Sequence, residues 1–435
     1  MSAGARRLIG LVALIGVCGP GAAQQPAPAV AASNEALATA ARRDYETTGV
    51  TPDNLPVFYG KLKSRTPHSL AFANAHMPFP KWRRAARAQL RALLLQPEEQ
   101  TPFAPQVVAE EDRGSYTARL VVFNVTGASR TAALMLVPKG EGPFPAVLAL
   151  HDHGAKFDIG KEKLIAPLGP TPRAESGKAW VQKYYGGRYI GDELAKRGFA
   201  VLATDALGWG DRMLNNYESQ QALASNLFNL GSSWAGLIAV EDVRAAEFLA
   251  AQPFVDRHRV AALGFSMGAF RAWQVAALTD TVAAAVAINW MGTVDGLMVP
   301  GNNQLRGQSA FSMLHPGFAR YFDYPDAAAI AAPKPMLFYA GEVDRLFPLA
   351  SVQHAFTTMR VVWAAAGAPQ NLETRVWPVP HIFIAEEQEA AFAWLQKTLA
   401  PHNGSGNKEA AFRRRPRATI APRPSGHLQP QTRRR

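Results

Sequence analysis

The sequence predicts an α/β protein with a doubly wound, mostly parallel sheet, helices on both faces and a helical N-terminal extension. Short apolar runs at 145–150, 260–263 and 335–340 are typical of buried parallel strands. Polar residues suited to catalysis follow predicted strands directly, and parallel strands bring such residues to one edge of a sheet. We therefore expect a functional site at the edge of the sheet where the parallel strands end.

Residues 1–23 have the composition of a secretory signal peptide. Arg6 and Arg7 precede an apolar run at 8–17, and small residues lead to Ala23, where cleavage is expected. Because the run is too short to span a bilayer, we expect an exported protein, periplasmic or secreted, with no stable membrane insertion of the mature chain. Cys18 is the only cysteine, so the mature chain can have neither disulfides nor a catalytic thiol.

Residues 24–110 are predicted to be a Pro/Ala-rich linker followed by a mainly helical extension. Segment 81–95 places Leu90, Leu93 and Leu94 on one face and arginines around the rest, the pattern of an amphipathic helix. We favour docking of this helix on the following domain, with a membrane-surface helix as the alternative.

The segment 111–402 is predicted to be the catalytic domain. Alternating residues at 115–124 and 130–137 predict antiparallel strands that open its sheet. Farther along, 260–263 runs directly into the G-x-S-x-G pentapeptide at 264–268, after which the sequence becomes helical. In that context the pentapeptide indicates a sharp strand-to-helix turn that exposes the Ser266 hydroxyl, whereas a helix-capping serine is the alternative.

A serine nucleophile needs a base that accepts its proton and a carboxylate that orients the base. Asp344 follows the predicted strand at 335–340, and His381 follows an alternating edge strand at 372–377 that ends in prolines. We predict Ser266, His381 and Asp344 as nucleophile, general base and carboxylate. Other residues could take two of these roles: Glu342, Asp295 or Asp323 as the acid and His315 as the base.

Acyl transfer also requires hydrogen-bond donors for the developing oxyanion. The backbone N–H of Met267 is one predicted donor. The other is the backbone N–H of His153, with Gly154 or Ala155 as alternatives, in the loop after strand 145–150. His151, Asp152 and His153 also permit a metal-site interpretation, but no further ligand motif accompanies them, so no metal or organic cofactor is expected.

These residues resemble the α/β-hydrolase superfamily, more narrowly its dienelactone-hydrolase-like and acetyl-xylan-esterase-like branch, over about 110–402. The supporting landmarks are 143–151, 197–205, the serine turn, 332–335 and the histidine loop. The resemblance implies hydrolysis of carboxylic esters, often on decorated sugars. Glucuronoyl esterases of this fold carry arginine after the nucleophile, where this chain has Met267, and dienelactone hydrolases carry cysteine in place of Ser266.

Two stretches without strong periodicity, 156–187 and 291–331, are expected to be long loops that cover the active site. Several residues are candidate pocket walls or pocket contacts: Tyr184, Tyr185, Trp209, Arg212, Trp290 and Met291.

The net charge of +12 is concentrated at the ends of the chain. Residues 403–435 contain nine basic residues and one acidic residue, and residues 24–402 are left with a net charge of about +2. This Pro- and Arg-rich tail is predicted to be disordered. It lacks interleaved aromatic residues, so we expect no nucleic-acid partner.

The predicted protein is therefore an exported serine esterase that acts on a small-molecule or carbohydrate ester. A prolyl-oligopeptidase-like serine peptidase is one alternative, although the extension is too short for a propeller domain. A catalytically inactive binding module on the same fold is the other. The oligomeric state is left open.

Overall fold

The computed structural model describes Ala36, Ala38, Thr39, residues 58–302 and residues 311–401. The predicted signal peptide, the Pro/Ala-rich linker and the basic tail at 403–435 lie outside the described residues.

Within the described residues, the strands form one mixed sheet in the order β1-β2-β3-β5-β4-β6-β7-β8-β9. The strands from β5 through β9 in this order pair in parallel, and β1, β2, β3 and β5 pair antiparallel. The bounds are β1 Gln106–Asp112, β2 Tyr116–Thr126, β3 Ser129–Pro138, β4 Phe144–Leu150, β5 Ala200–Thr204, β6 Val255–Phe265, β7 Ala284–Ile288, β8 Met336–Gly341 and β9 Leu372–Trp377. The predicted edge strand at 372–377 is confirmed as β9.

Helices cover both faces of the sheet, as predicted. Alternate residues of the central strands enter two separate apolar clusters: Leu148 and Ala262 face one side, and Val147 and Ala261 face the other. This follows from the two-residue side-chain period of a strand that is buried on both faces. The helices are α1 Tyr59–Lys63, α2 Phe72–Ala75, α3 Phe79–Leu93, α4 Pro172–Tyr184, α5 Ile190–Lys196, α6 Tyr217–Asn229, α7 Trp234–Ala250, α8 Met267–Leu278, α9 Val294–Leu297, α10 Tyr324–Ala329, α11 Leu349–Ala365 and α12 Ala385–Thr398.

Helix α3 docks on the domain through its apolar face. Trp82, Ala86 and Leu90 are fully buried in the same cluster as α8. On the flank, Arg87 Nε donates to the carbonyl oxygen of Ala277 at 2.8 Å, and Arg91 donates to that of Leu278 at 2.8 Å. These arginines cap the last turn of α8, whose carbonyls have no partner within the helix. No helix in the part of the chain that the structure describes is long and apolar enough to cross a bilayer.

Several elements differ from the prediction, and two of them, helices α9 and α10, lie within the predicted loop at 291–331. Strand β1 begins at Gln106, inside the segment predicted as helical, and most of its residues are exposed, so burial left no alternating pattern to detect. Strand β7 had not been predicted, although it is a short and fully buried apolar run. Helix α4 occupies part of the predicted loop at 156–187; it buries only Gly177, Trp180 and Val181, too few to produce a clear helical period.

Candidate active site

The turn between β6 and α8 holds Ser266 in a strained conformation. Its φ of 55° and ψ of −125° lie in a region that residues with a Cβ rarely adopt. A Cβ on Gly264 would overlap the backbone of Gly268, and a Cβ on Gly268 would overlap the carbonyl oxygen of Leu150. Glycine is therefore required at both positions for the strand and the helix to approach closely enough to form this turn.

The strain at position 266 predicts a difference between two substitutions. Ser266→Gly should give a folded protein about 1 kcal/mol more stable than Ser266→Ala, because only glycine adopts this φ without steric cost. Urea unfolding of the two variants measures the difference directly. Equal stabilities, or a more stable alanine variant, would show that the turn is not strained in solution.

Ser266, His381 and Asp344 are hydrogen-bonded in series. The Nε2 atom of His381 lies 2.9 Å from Ser266 Oγ, and His381 Nδ1 lies 2.6 Å from Asp344 Oδ2. Asp344 is buried, and its second oxygen accepts a 2.8 Å bond from the backbone N–H of Leu346. Because the carboxylate accepts, Nδ1 donates, which leaves Nε2 as the acceptor for the serine proton.

The alternative acids and base lie elsewhere. Asp295 is largely exposed and pairs with Lys63, and Asp323 accepts bonds from the backbone N–H groups of Val294 and Tyr324. Glu342 is exposed. His315 is buried against Gln274, away from the cavity beside Ser266.

A cavity of about 190 Å³ opens beside Ser266. Tyr184 and Trp290 line it, as the prediction placed them. Residues that the sequence analysis had not proposed as pocket walls also line it: Trp180, Tyr217, Phe265, Asn302, Met313, Leu346 and Phe347. Trp180 lies on α4, where the weak periodicity had concealed a helix, and no sequence signal identified Tyr217.

Trp209 and Arg212 are two of the four predicted pocket residues that require correction. Trp209 is fully buried behind His153, where its indole N–H donates to the His153 carbonyl oxygen at 3.1 Å. Arg212 turns away from the cavity because Glu241 on α7 accepts two 2.6 Å hydrogen bonds from its guanidinium. Neither residue belongs to the cavity lining.

The other two predicted pocket walls that require correction are Tyr185 and Met291. Tyr185 is fully buried, and its hydroxyl donates to the Asp152 carboxylate at 2.8 Å. Met291 is buried in the apolar cluster that contains α8. Neither side chain lines the cavity.

The loop after β4 carries His151 and His153, and the backbone N–H of His153 is the predicted oxyanion donor. His153, Gly154 and Ala155 line the cavity. Met267 is the first residue of α8, directly after Ser266. His151 uses both ring nitrogens within the fold: Nδ1 donates to the Asp152 carbonyl oxygen, and Nε2 accepts from the backbone N–H of Ala206. The His151 ring therefore ties the loop to the chain that follows β5.

Both imidazoles of this loop are held neutral. Burial lowers the pKa of His153 to about 3, with a further contribution from Lys163, and burial also lowers the pKa of His151 well below its ordinary value. Among the described residues, no group of three or more His, Cys, Asp or Glu side chains is arranged to hold a metal ion.

The loop that carries His381 is anchored by a buried carboxyl group, which predicts a pH effect on stability. Glu387 accepts a 3.0 Å bond from the backbone N–H of Ile384, while its other oxygen has no partner among the described residues. Burial raises the pKa of Glu387 to about 7, although the hydrogen bond from Ile384 and the charge of Arg375 both act to lower it. Between about pH 4.5 and 7 the folded chain retains a proton that the unfolded chain releases, so stability falls as pH rises.

Glu387→Gln should remove this dependence. Relative to the variant, the wild type should lose on the order of 2 kcal/mol of unfolding free energy between pH 5 and pH 8. Urea unfolding at both pH values tests this. The prediction would be contradicted if the difference in unfolding free energy between wild type and variant were the same at both pH values.

The sequence profile of the Abhydrolase family matches residues 47–391. The chain belongs to this family. The Bacillus subtilis (strain 168) protein named "Putative hydrolase YtaP" is 27% identical over 316 residues, which cover 72% of this chain and 98% of that protein. The predicted α/β-hydrolase fold is confirmed.

Solved structures show the same fold. A structure described as a "putative acetyl xylan esterase" from Bacteroides fragilis NCTC 9343 is 21% identical and has a TM-score of 0.59, covering 77% of this chain and 86% of that one. A glucuronoyl esterase from Solibacter usitatus is 13% identical and has a TM-score of 0.54. The match covers 72% of this chain and 92% of that one. At these identities the likeness concerns the fold alone.

Proposed function

We propose that this protein is a serine hydrolase of carboxylic esters. The observation that carries the proposal is the continuous series Asp344–His381–Ser266, which ends with the serine oxygen in a cavity at a strained turn. A serine hydroxyl becomes an effective nucleophile when a neighbouring base accepts its proton in this geometry.

In the proposed mechanism, Ser266 Oγ attacks the ester carbonyl as its proton moves to His381 Nε2. Asp344 stabilises the resulting imidazolium, and the N–H groups of Met267 and His153 stabilise the negative oxygen of the tetrahedral intermediate. His381 then protonates the departing alcohol, which leaves an acyl group on Ser266. A water molecule then attacks the acyl carbonyl as it gives a proton to His381. The bond between the acyl carbon and Ser266 Oγ breaks, which releases the acid, and His381 returns the proton to Ser266 Oγ.

The cavity supports a small, neutral acyl group. Its volume is about 190 Å³, and the described part of its lining contains no lysine or arginine side chain. Arg212, an arginine that was predicted to contact the pocket, is hydrogen-bonded to Glu241 instead. The aromatic rings of Trp180, Tyr184 and Tyr217 offer faces for an apolar or sugar leaving group, so acetyl or similar esters of carbohydrates are the proposed substrates.

Hydrolysis of matched p-nitrophenyl esters and aminoacyl p-nitroanilides tests this function. We expect kcat/KM to be highest for acetyl, to fall with acyl length as the cavity fills, and to be far lower for the anilides. Faster anilide cleavage would favour the peptidase alternative, and no turnover of either series would favour the inactive binding module.

Export is a separate part of the proposal and rests on the composition of residues 1–23. N-terminal sequencing of the protein recovered from the periplasm or medium of a bacterial host should begin near Gln24. Recovery only from the cytoplasm with an intact N-terminus would contradict export.

A further inference from the structure

A buried lysine lies directly beneath the loop that carries the predicted oxyanion donor. Lys163 is fully buried at the end of a single 3₁₀ turn, Lys161–Lys163. Its ammonium group donates to the carbonyl oxygen of Asp152 at 2.8 Å and to that of His153 at 3.0 Å. Burying an ammonium group is costly because it loses its hydration. In this protein the buried ammonium of Lys163 donates to two successive carbonyl groups of one loop.

These hydrogen bonds fix the orientation of the peptide group between Asp152 and His153. The Asp152 carbonyl and the His153 N–H belong to the same peptide group, which is not among the cis bonds of the chain. In a trans peptide these two groups point in opposite directions. Because Lys163 holds the carbonyl on the buried side of the loop, the His153 N–H must point away from Lys163.

The other contacts of the loop reinforce this orientation. The Asp152 carbonyl also accepts from His151 Nδ1 at 2.9 Å, and the His153 carbonyl accepts from Trp209 Nε1 at 3.1 Å. A positive charge at the carbonyl end of a peptide also withdraws electron density from its N–H and makes it a stronger donor. The peptide is thus both oriented and polarised.

The charge of Lys163 is balanced inside the protein. The Asp152 carboxylate lies 3.5 Å from the ammonium and accepts hydrogen bonds from the indole of Trp180 and the hydroxyl of Tyr185. The ammonium lies 4.9 Å from the centre of the Trp180 ring. Burial lowers the pKa of Lys163, and the Asp152 carboxylate opposes that effect.

We propose that Lys163 is a positioning residue that orients and polarises the peptide between Asp152 and His153, so that the His153 N–H stabilises the oxyanion formed at Ser266. The inference rests on the proposed ester-hydrolase function and deepens it. It predicts that Lys163 contributes to stabilisation of the transition state and little to binding of the ground-state ester.

Lys163→Met tests the inference, with Lys161→Met as its matched control. Lys161 lies in the same turn and is equally buried, but its ammonium bonds to Asp205 at 2.6 Å and Asp211 at 2.7 Å and makes no hydrogen bond to residues 152–154. We expect Lys163→Met to lower kcat on p-nitrophenyl acetate by about 10–100-fold with KM nearly unchanged. The Ki of phenylboronic acid, which forms a tetrahedral adduct with serine, should rise by a similar factor.

All rates are normalised to active sites counted by complete reaction with a fluorophosphonate, so that partial unfolding does not imitate the effect. If Lys163→Met does not fold, the double variant Lys163→Met/Asp152→Asn removes both buried charges, and the same loss of kcat is expected for it.

Lys161→Met should retain wild-type kcat and Ki per active site. The inference would be overturned if both lysine variants lost kcat equally, or if Lys163→Met kept the wild-type kcat per active site. Either result would leave the ester-hydrolase proposal intact. Absence of wild-type ester turnover would overturn both.

Discussion

Ser266→Ala is expected to lower kcat for ester hydrolysis by about 10⁴–10⁶-fold. The Ser266 oxygen is both the proposed nucleophile and the hydrogen-bond partner of His381, at 2.9 Å. Without it no acyl-enzyme can form, and water activated by His381 would have to attack directly. The remaining rate would come from the oxyanion donors and from substrate binding alone.

Two measurements separate this loss from misfolding. Wild-type protein should gain the mass of one fluorophosphonate adduct, and the alanine variant should gain none while keeping a cooperative thermal transition. Ser225→Ala, at an exposed serine on α6, is the matched control and should retain full activity. Ester turnover by Ser266→Ala at the wild-type rate would show that the nucleophile has been assigned incorrectly.

Asp344→Asn is expected to lower kcat by about 10³–10⁴-fold. The carboxylate accepts the Nδ1 proton of His381 at 2.6 Å and so keeps Nε2 free to accept the serine proton. An asparagine amide that donates to Nδ1 favours the opposite tautomer, with the proton on Nε2. In the proposed mechanism it also removes the negative charge that stabilises the imidazolium in the transition state.

Glu342→Gln provides the matched control for Asp344→Asn. Glu342 lies two residues earlier in the same loop and is exposed, so its amide variant should retain wild-type kcat and KM. If Glu342→Gln lost activity and Asp344→Asn did not, the acid would have been assigned to the wrong residue. Unfolding transitions of both variants should be recorded, because Asp344 Oδ1 also accepts the Leu346 N–H and contributes to the order of the loop.

Much of the proposed site could be predicted because it depends on local sequence and chain order. The turn at Ser266 requires glycines at 264 and 268 for steric reasons that involve only the adjoining strand, helix and β4. Asp344 and His381 each follow a strand, β8 and β9, that pairs in parallel with its neighbour. Parallel strands place such residues at one edge of the sheet, so their proximity follows once the strands are identified.

The cavity wall could not be predicted in the same way. Arg212 and Trp209 lie in a segment that the sequence placed near the site, yet the direction of each side chain depends on a partner distant in sequence. Glu241 draws the guanidinium of Arg212 away, and the carbonyl of His153 holds the indole of Trp209 behind the loop. Trp180 reaches the cavity from α4, a helix whose few buried residues left no periodic signal.

The sequence by itself determined the α/β-hydrolase fold, the strained serine turn and the order of Ser266, Asp344 and His381 along the chain. These features depend on hydrophobic periodicity, on glycine at sterically closed positions and on the position of polar residues after strands. Only the tertiary structure decided which side chains line the cavity and which are diverted to distant partners. It also placed the ammonium of Lys163 against the Asp152 and His153 carbonyls. Such contacts depend on the directions of side chains from separate elements, which no local pattern encodes.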